Sequence, residues 1–146
     1  MFGDENHIGI DKAHRLIRGF AVTSASAHDG AQLPAAIARN KATDVWADTA
    51  YRAKANEAFL NARGLRSKIH FRRRPGQDLT PPQRKANRAR SKVRSAVEGV
   101  FAHQKQAFGL VVRTIGMARA TTKIALANLA YNVRRYIWLV EHQPAA

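Results

Sequence analysis

The apolar positions change period along the chain, and the changes mark out the elements. In Asn6-His-Ile-Gly-Ile10, Ile8 and Ile10 alternate with polar or small neighbours. Leu16, Ile17, Phe20 and Val22 form a second β-favouring run. The intervening Lys12-Ala13-His14 is short enough to predict a hairpin. A loop over Ser24 to Gly30 follows. Asp29 with Gln32 three residues on fits a capping box for a short helix at Leu33–Ile37, with Pro34 in its first turn.

Thr43-Asp-Val-Trp-Ala47 predicts a strand stopping at Asp48. Ala53 to Arg63 has helical spacing, with Ala55, Phe59 and Ala62 on one side and Gly64 as the stop. Ser67 to Arg73 alternates like an edge strand, and Arg74-Pro-Gly-Gln-Asp-Leu79 is a loop. Thr80-Pro-Pro-Gln83 is a helix start with a capping residue, a first-turn proline and a box-closing glutamine. That helix should run to about Phe108, where Gly109 can end it. A second long helix is expected over Thr121 to Val140, with Leu126, Leu129, Val133, Ile137 and Val140 lining its buried face. The order β-β-α-β-α-β followed by two long helices is a mixed α/β pattern.

Composition narrows the chemistry. The 146 residues are one domain's worth, and 45% are apolar, enough for a modest core. There is no cysteine, which excludes disulfides and thiolate metal sites. No apolar run reaches the length of a membrane span, and Met1 to Asp11 has no signal-peptide core, so no membrane partner and a cytoplasmic location are expected. Lys and Arg number 25 against 10 Asp and Glu, a formal net charge of +15. A field of that sign attracts polyanions. It is also concentrated: residues 63 to 94 hold twelve Lys/Arg and one acid, Asp78. Within that block Arg72, Arg73, Arg74, Arg84, Lys85, Arg88, Arg90 and Lys92 are expected to face DNA phosphates.

With so few acids, each can be weighed. Asp48 follows an apolar strand, where ligands and catalytic groups collect in α/β sheets. It could equally be a turn or cap residue. At about 100° per residue, Arg94, Glu98 and Lys105 share one stripe of the long helix, bordering the face of Val93, Val97, Val100, Phe101 and Phe108. An ordinary Arg94–Glu98 helix pair is the plain alternative. Two carboxylates on a basic surface can hold Mg²⁺, which prefers oxygen ligands and keeps several waters. Such ions activate a water or hydroxyl and stabilise the leaving oxygen in phosphoryl transfer. The six histidines, at 7, 14, 28, 70, 103 and 142, show no metal-site spacing and read as surface or turn residues. No phosphate-binding glycine loop or serine-hydrolase elbow is present.

Asp48-Thr-Ala-Tyr51-Arg-Ala-Lys resembles the segment around the second catalytic Asp of bacterial insertion-sequence DDE transposases. Arg94-x3-Glu98-x6-Lys105 resembles the signature around their catalytic Glu. Ser91 stands where the fuller signature has Tyr, as in one subgroup. Asn6-His-Ile-Gly-Ile-Asp11 and Ala21-Val-Thr23 with His28-Asp29 resemble the two middle strands and the loop after them. The likeness covers nearly the whole chain and is closest to the insertion-sequence-five family. It implies an RNase H-like mixed sheet flanked by helices. It also implies a site of Asp, Asp and Glu holding Mg²⁺ or Mn²⁺, and cleavage and strand transfer on transposon ends and target DNA. By resemblance Asp48 and Glu98 are metal ligands, and Tyr51, Arg94 and Lys105 are accessory residues. Asp11 and Asp29 match positions outside the triad. The strand with the family's first Asp is expected upstream of this segment, which reads as the C-terminal part (1–146) of the catalytic domain. An oligomer, a nucleoid location and help from an upstream transposase segment are further expectations of the resemblance. A non-catalytic nucleic-acid-binding remnant is the alternative.

Overall fold

The computed structural model describes residues 4–24, 29–109 and 116–143. The hairpin forms as expected, from β1 (Asp4–Ile10) and β2 (Ile17–Ser24), antiparallel with Gly9 opposite Gly19 and a register shift after Gly9. β1 begins at Asp4, earlier than the residue pattern suggests. In the connection, Arg15 takes a positive φ of 60° and Asp11 accepts from Arg18 Nε at 2.9 Å. His28 lies outside the described residues.

α1 is short, Leu33–Ala36, and a 3-10 turn at Asp29–Gln32 precedes it. Gln32 is the N-cap of α1 and makes no side-chain cap bond, and the Asp29 side chain of the expected capping box lies outside the described residues. The last turn of α1 sits on the hairpin's glycines. A Cβ on Gly9 would meet the Ala36 carbonyl oxygen, and one on Gly19 would lie 2.6 Å from the same atom. Only two facing residues without side chains allow this approach.

β3 (Asp44–Val45) pairs in parallel with β4 (Arg66–Ser67), and α2 (Lys54–Ala62) crosses between them. The ladder extends beyond the formal strands through Lys68 N to Val45 O (2.8 Å) and His70 N to Ala47 O (2.9 Å). Gly64, at φ 66°, ends α2 as expected. The inward face of α2 differs from expectation: Asn56 and Leu60 are buried while Ala55 and Ala62 are exposed. Asn56 turns inward because its amide donates to the carbonyls of Gly30 and Tyr51, both at 2.7 Å. The strands thus form two two-stranded sheets, one antiparallel and one parallel.

α3 runs Pro81–Phe108, with the Thr80–Gln83 capping box in place and Gly109 in the left-handed conformation at its end. α4 runs Met117–Glu141. Two apolar clusters result. Leu33, Val45, Ala47, Leu60 and Ile69 pack beneath α1 and α2. Ile17, Val100 and Tyr131 join the hairpin to α3 and α4, with Ile8, Ile10 and Phe108 at the margin. A buried amide chain crosses the same junction: Asn128 Oδ1 accepts from Asn6 (3.0 Å) and from Gln104 (2.8 Å).

The face of α4 expected to be buried is open. Leu126, Leu129, Val133, Ile137 and Val140 are exposed, and Ala120, Ile124, Ala127, Asn128 and Tyr131 are buried instead. The inward side mixes alanines with the large Ile124 and Tyr131: Tyr131 packs with Ile17 and Val100, and Asn128 bonds to Asn6 and Gln104, which holds this side toward the hairpin and α3.

Candidate metal and DNA site

Asp48 sits where the β3 segment ends and a 3-10 turn (Thr49–Tyr51) begins. The cap reading of this aspartate holds for one oxygen, and the other oxygen pairs with an arginine. Oδ1 accepts from Ala50 N at 2.7 Å and caps the turn; Oδ2 accepts from Arg94 Nη1 of α3 at 3.0 Å. The same guanidinium donates from Nη2 to Glu98 Oε1 at 2.6 Å. Arg94 therefore gathers two carboxylates from distant parts of the sequence onto one planar fork, the geometry that suits Arg better than Lys. Asp48 and Glu98 both remain partly open to water.

The turn and the helix are held in place by groups that the residue pattern did not mark. His70 is buried; its Nδ1 lies 2.9 Å from the Ala47 carbonyl and its Nε2 lies 2.9 Å from Ser91 Oγ. A carbonyl only accepts, so Nδ1 carries a proton, while Ser91 Oγ also donates to the Asn87 carbonyl at 3.0 Å. The residue before Asp48 is thereby tied to α3 one turn ahead of Arg94. His7 is buried as well, between Tyr51 Oη (2.9 Å from Nδ1) and Thr23 Oγ1 (2.8 Å from Nε2), and so links the hairpin to the turn after Asp48. The expectation that the histidines are surface or turn residues fails for both. The apolar alternation gave no signal for them, because Ile8 and Ile10, and Ile69 and Phe71, hold its apolar positions and His7 and His70 fall at the alternate ones.

Of the five residues singled out for the site, Asp48, Arg94 and Glu98 come together. Tyr51 lies in the adjoining turn and bonds to His7. Lys105 lies about two helical turns beyond Glu98, exposed, on the same stripe, with no ion pair to either acid. Among the described residues no group of three or more His, Cys, Asp or Glu could hold a metal ion. The two carboxylates are nonetheless the right donors for a hard divalent cation, which is commonly held by one or two carboxylates and retains water. Asp48 and Glu98 would hold it, in competition with the Arg94 guanidinium.

The basic block divides by environment. Arg84, Lys85, Arg88 and Lys92 are exposed on α3 and fall within about 80° to 180° of Arg94, a ribbon alongside the acidic stripe. Arg84 also donates to the Leu79 carbonyl at 2.7 Å. Arg72 and Arg74 are exposed on the loop before α3, and Arg73 there pairs with Asp78 at 2.7 Å. Arg90 differs from these. It donates to the Ile69 carbonyl at 2.6 Å, and Arg52 donates to the same carbonyl at 2.7 Å. Both guanidiniums lie 4.4 Å from the centre of the Phe71 ring. Burial lowers the Arg90 pKa, the neighbouring Arg52 charge lowers it further, and Glu57 partly offsets this.

The family model described as "Transposase DDE domain" matches residues 5–133. The chain belongs to this family, and its mixed α/β build, with four α-helices among the described residues, is compatible with such a domain. No curated protein matches the chain. No solved structure matches it either. Among the described residues no helix is long and apolar enough to cross a membrane.

Proposed function

We propose that the chain is the C-terminal part of the catalytic domain of a bacterial insertion-sequence transposase, of insertion-sequence-five type. Asp48 and Glu98 are its second and third metal-binding carboxylates. The observation that carries the reading is the convergence of Asp48 and Glu98 on Arg94, beside a basic ribbon, in a chain of the DDE family. On this reading β1–β2 and β3–β4 belong to one RNase H-like sheet, and the first Asp comes from an upstream segment of the same transposase.

On this reading the residues divide the work. The cap on Asp48 Oδ1 fixes the carboxylate, leaving Oδ2 toward α3. Glu98 approaches from the helix. A bound Mg²⁺ or Mn²⁺ would activate a water or 3′-hydroxyl and stabilise the leaving oxygen. With both acids engaged by a cation, Arg94 would be free to pair with a DNA phosphate. Lys105 and the exposed ribbon Arg84, Lys85, Arg88 and Lys92 hold the backbone without reading sequence. Arg72, Arg73 and Arg74 extend that grip along the preceding loop, and Arg90 supports it from beneath through Ile69 and Phe71. Tyr51 and His7 hold the turn after Asp48 in place.

The test is metal-dependent nicking of double-stranded DNA carrying the element's ends, with the upstream segment fused. Glu98→Gln and Asp48→Asn should each abolish nicking and leave DNA binding intact. Retained nicking in Glu98→Gln overturns the assignment. A second reading, a DNA-binding remnant without chemistry, draws on the lack of a third acid near the pair among the described residues. It predicts salt-sensitive binding with no metal-dependent cleavage.

A further inference from the structure

α4 is apolar on two opposite faces. About Val133, the buried residues Ala120, Ile124, Ala127, Asn128 and Tyr131 point within roughly 60° of the direction opposite to it. Leu126, Leu129, Ile137 and Val140 lie within about 40° of Val133 itself, and Tyr136 lies about 60° to one side. These six residues are 48–62% exposed. A helix apolar on both sides is ordinarily covered on both sides.

We propose that this open face pairs with the same face of a second copy, with the two α4 helices antiparallel about a two-fold axis at Val133. Three observations choose that occupant. The first is the spacing. Leu126, Leu129, Val133, Ile137 and Val140 stand at offsets of −7, −4, 0, +4 and +7 from Val133, a stripe that reads the same in both directions. A two-fold axis through Val133 sets Leu126 against Val140 and Leu129 against Ile137 of the other copy. This is the self-complementarity that an isologous interface requires.

The second is charge. Two copies of a chain carrying +15 repel, and most of its surface would make the approach worse. From Ala125 to Val140 the stripe and its immediate flanks carry no charge. The two arginines in that span, Arg134 and Arg135, turn away from the face. Arg134 lies 6.0 Å over the Phe108 ring, and Arg135 donates from Nε to the His14 carbonyl at 2.8 Å. At the ends the antiparallel arrangement sets Glu141 on the same flank as Lys123 of the second copy, about 3 Å apart along the helix axis. Opposite charges therefore meet where the apolar stripe ends.

The third is area. Six large side chains, each about half open, leave on the order of 100 Å² apiece. The pair would then bury close to 1,200 Å² in total, at the lower edge of specific, stable interfaces. A reversible dimer in the micromolar range is the expectation, since interfaces of modest size reach nanomolar affinity only with strong anchors.

The test needs neither DNA nor metal, so its outcome is separate from that of the proposed function. Sedimentation equilibrium of the chain over roughly 1–100 µM should show a monomer–dimer equilibrium, and Val133→Glu, which sets two carboxylates at the axis, should weaken it by about tenfold or more. Because the chain has no cysteine, single cysteines report the register. Val133→Cys should cross-link to itself on mild oxidation, far faster than the exposed control Ala89→Cys. Leu126→Cys mixed with Val140→Cys should cross-link more than either alone. A chain that stays monomeric at 100 µM overturns the proposal and assigns the face to another segment or partner. Faster self-linking of Leu126→Cys than of the mixture overturns the antiparallel arrangement.

Discussion

His70 and Ser91 join the strand end that carries Asp48 to the helix that carries Glu98, with His70 Nε2 and Ser91 Oγ 2.9 Å apart. Ser91→Ala leaves the inner ring nitrogen without its hydroxyl partner. A loss of about 1 kcal/mol in urea unfolding is expected, and Ser91→Thr, which keeps a hydroxyl, should recover most of it. Equal stability of the alanine variant and the parent would show that the contact contributes nothing.

On the proposed reading, a divalent cation would compete with Arg94 for the same two carboxylates. Arg94→Gln removes the competing charge while leaving a polar side chain of similar reach. Mn²⁺ binding to the isolated chain, followed by electron paramagnetic resonance, should tighten several-fold. DNA binding should weaken in the same variant because one phosphate-facing cation is gone. Unchanged Mn²⁺ affinity would mean that the ion does not sit between Asp48 and Glu98.

Exposed and engaged arginines on α3 should separate in experiment. Arg88→Ala is expected to lower DNA affinity and flatten its salt dependence by about one counterion, with stability unchanged. Arg90→Ala removes a bond to the Ile69 carbonyl and one guanidinium from Phe71, and should cost about 1–2 kcal/mol of stability. Paired salt titrations and urea melts on the two variants decide the matter. Identical profiles would contradict the division.

The amide chain through Asn128 makes opposite forecasts for its members. Gln104 is buried, and its Oε1 has no hydrogen-bond partner. Gln104→Met removes an unsatisfied acceptor along with one bond and should be within about 1 kcal/mol of neutral. Asn128→Ala strands the Gln104 amide and releases Asn6, and a loss of about 2–3 kcal/mol is expected. Chemical denaturation of both variants is the measurement, and a larger loss in Gln104→Met would reverse the assignment.

Tyr131 supplies a pH dependence. Burial raises its pKa above the ordinary tyrosine value of 10.0, the charges of Arg135 and Arg15 pull it back, and Asp11 adds to the rise. The folded state then holds this proton more tightly than the unfolded chain does. Its contribution is complete below pH 10, and stability falls as pH rises past the unfolded value toward the raised one. Melting between pH 9 and 11 should decline more gently in Tyr131→Phe, although that variant also lacks the 2.9 Å bond from Tyr131 Oη to the Arg15 carbonyl. Parallel declines would remove Tyr131 as the cause.

The elements that local chemistry dictates were readable from the residues alone. Thr80, Pro81, Gln83 and Gly109 fix both ends of α3 without any tertiary information, and Gly64 does the same for the end of α2. The stripe of Arg94, Glu98 and Lys105 followed from helical repeat, but its encounter with Asp48 is a long-range contact that periodicity cannot supply. His7 and His70 escaped notice because their burial depends on partners 16 to 44 residues away for His7 and 21 to 23 for His70. The face of α4 was misassigned for a related reason. Two apolar faces compete on that helix, and the long-range partners of Asn128 and Tyr131 on the hairpin and α3 decide between them.

The two glycines beneath Ala36 carry a consequence for any mutational survey of this chain. A carbonyl oxygen resting on Gly9 and Gly19 cannot be relieved by rotating a side chain, because neither position has one. Every substitution there must prise α1 from the hairpin as a rigid body. In a saturation library selected for transposition, both positions should therefore tolerate nothing, as Asp48 and Glu98 would. An intolerance profile alone would count four equally vital residues, and only a measurement of how much folded protein each variant leaves would sort the hinge of the scaffold from the chemistry.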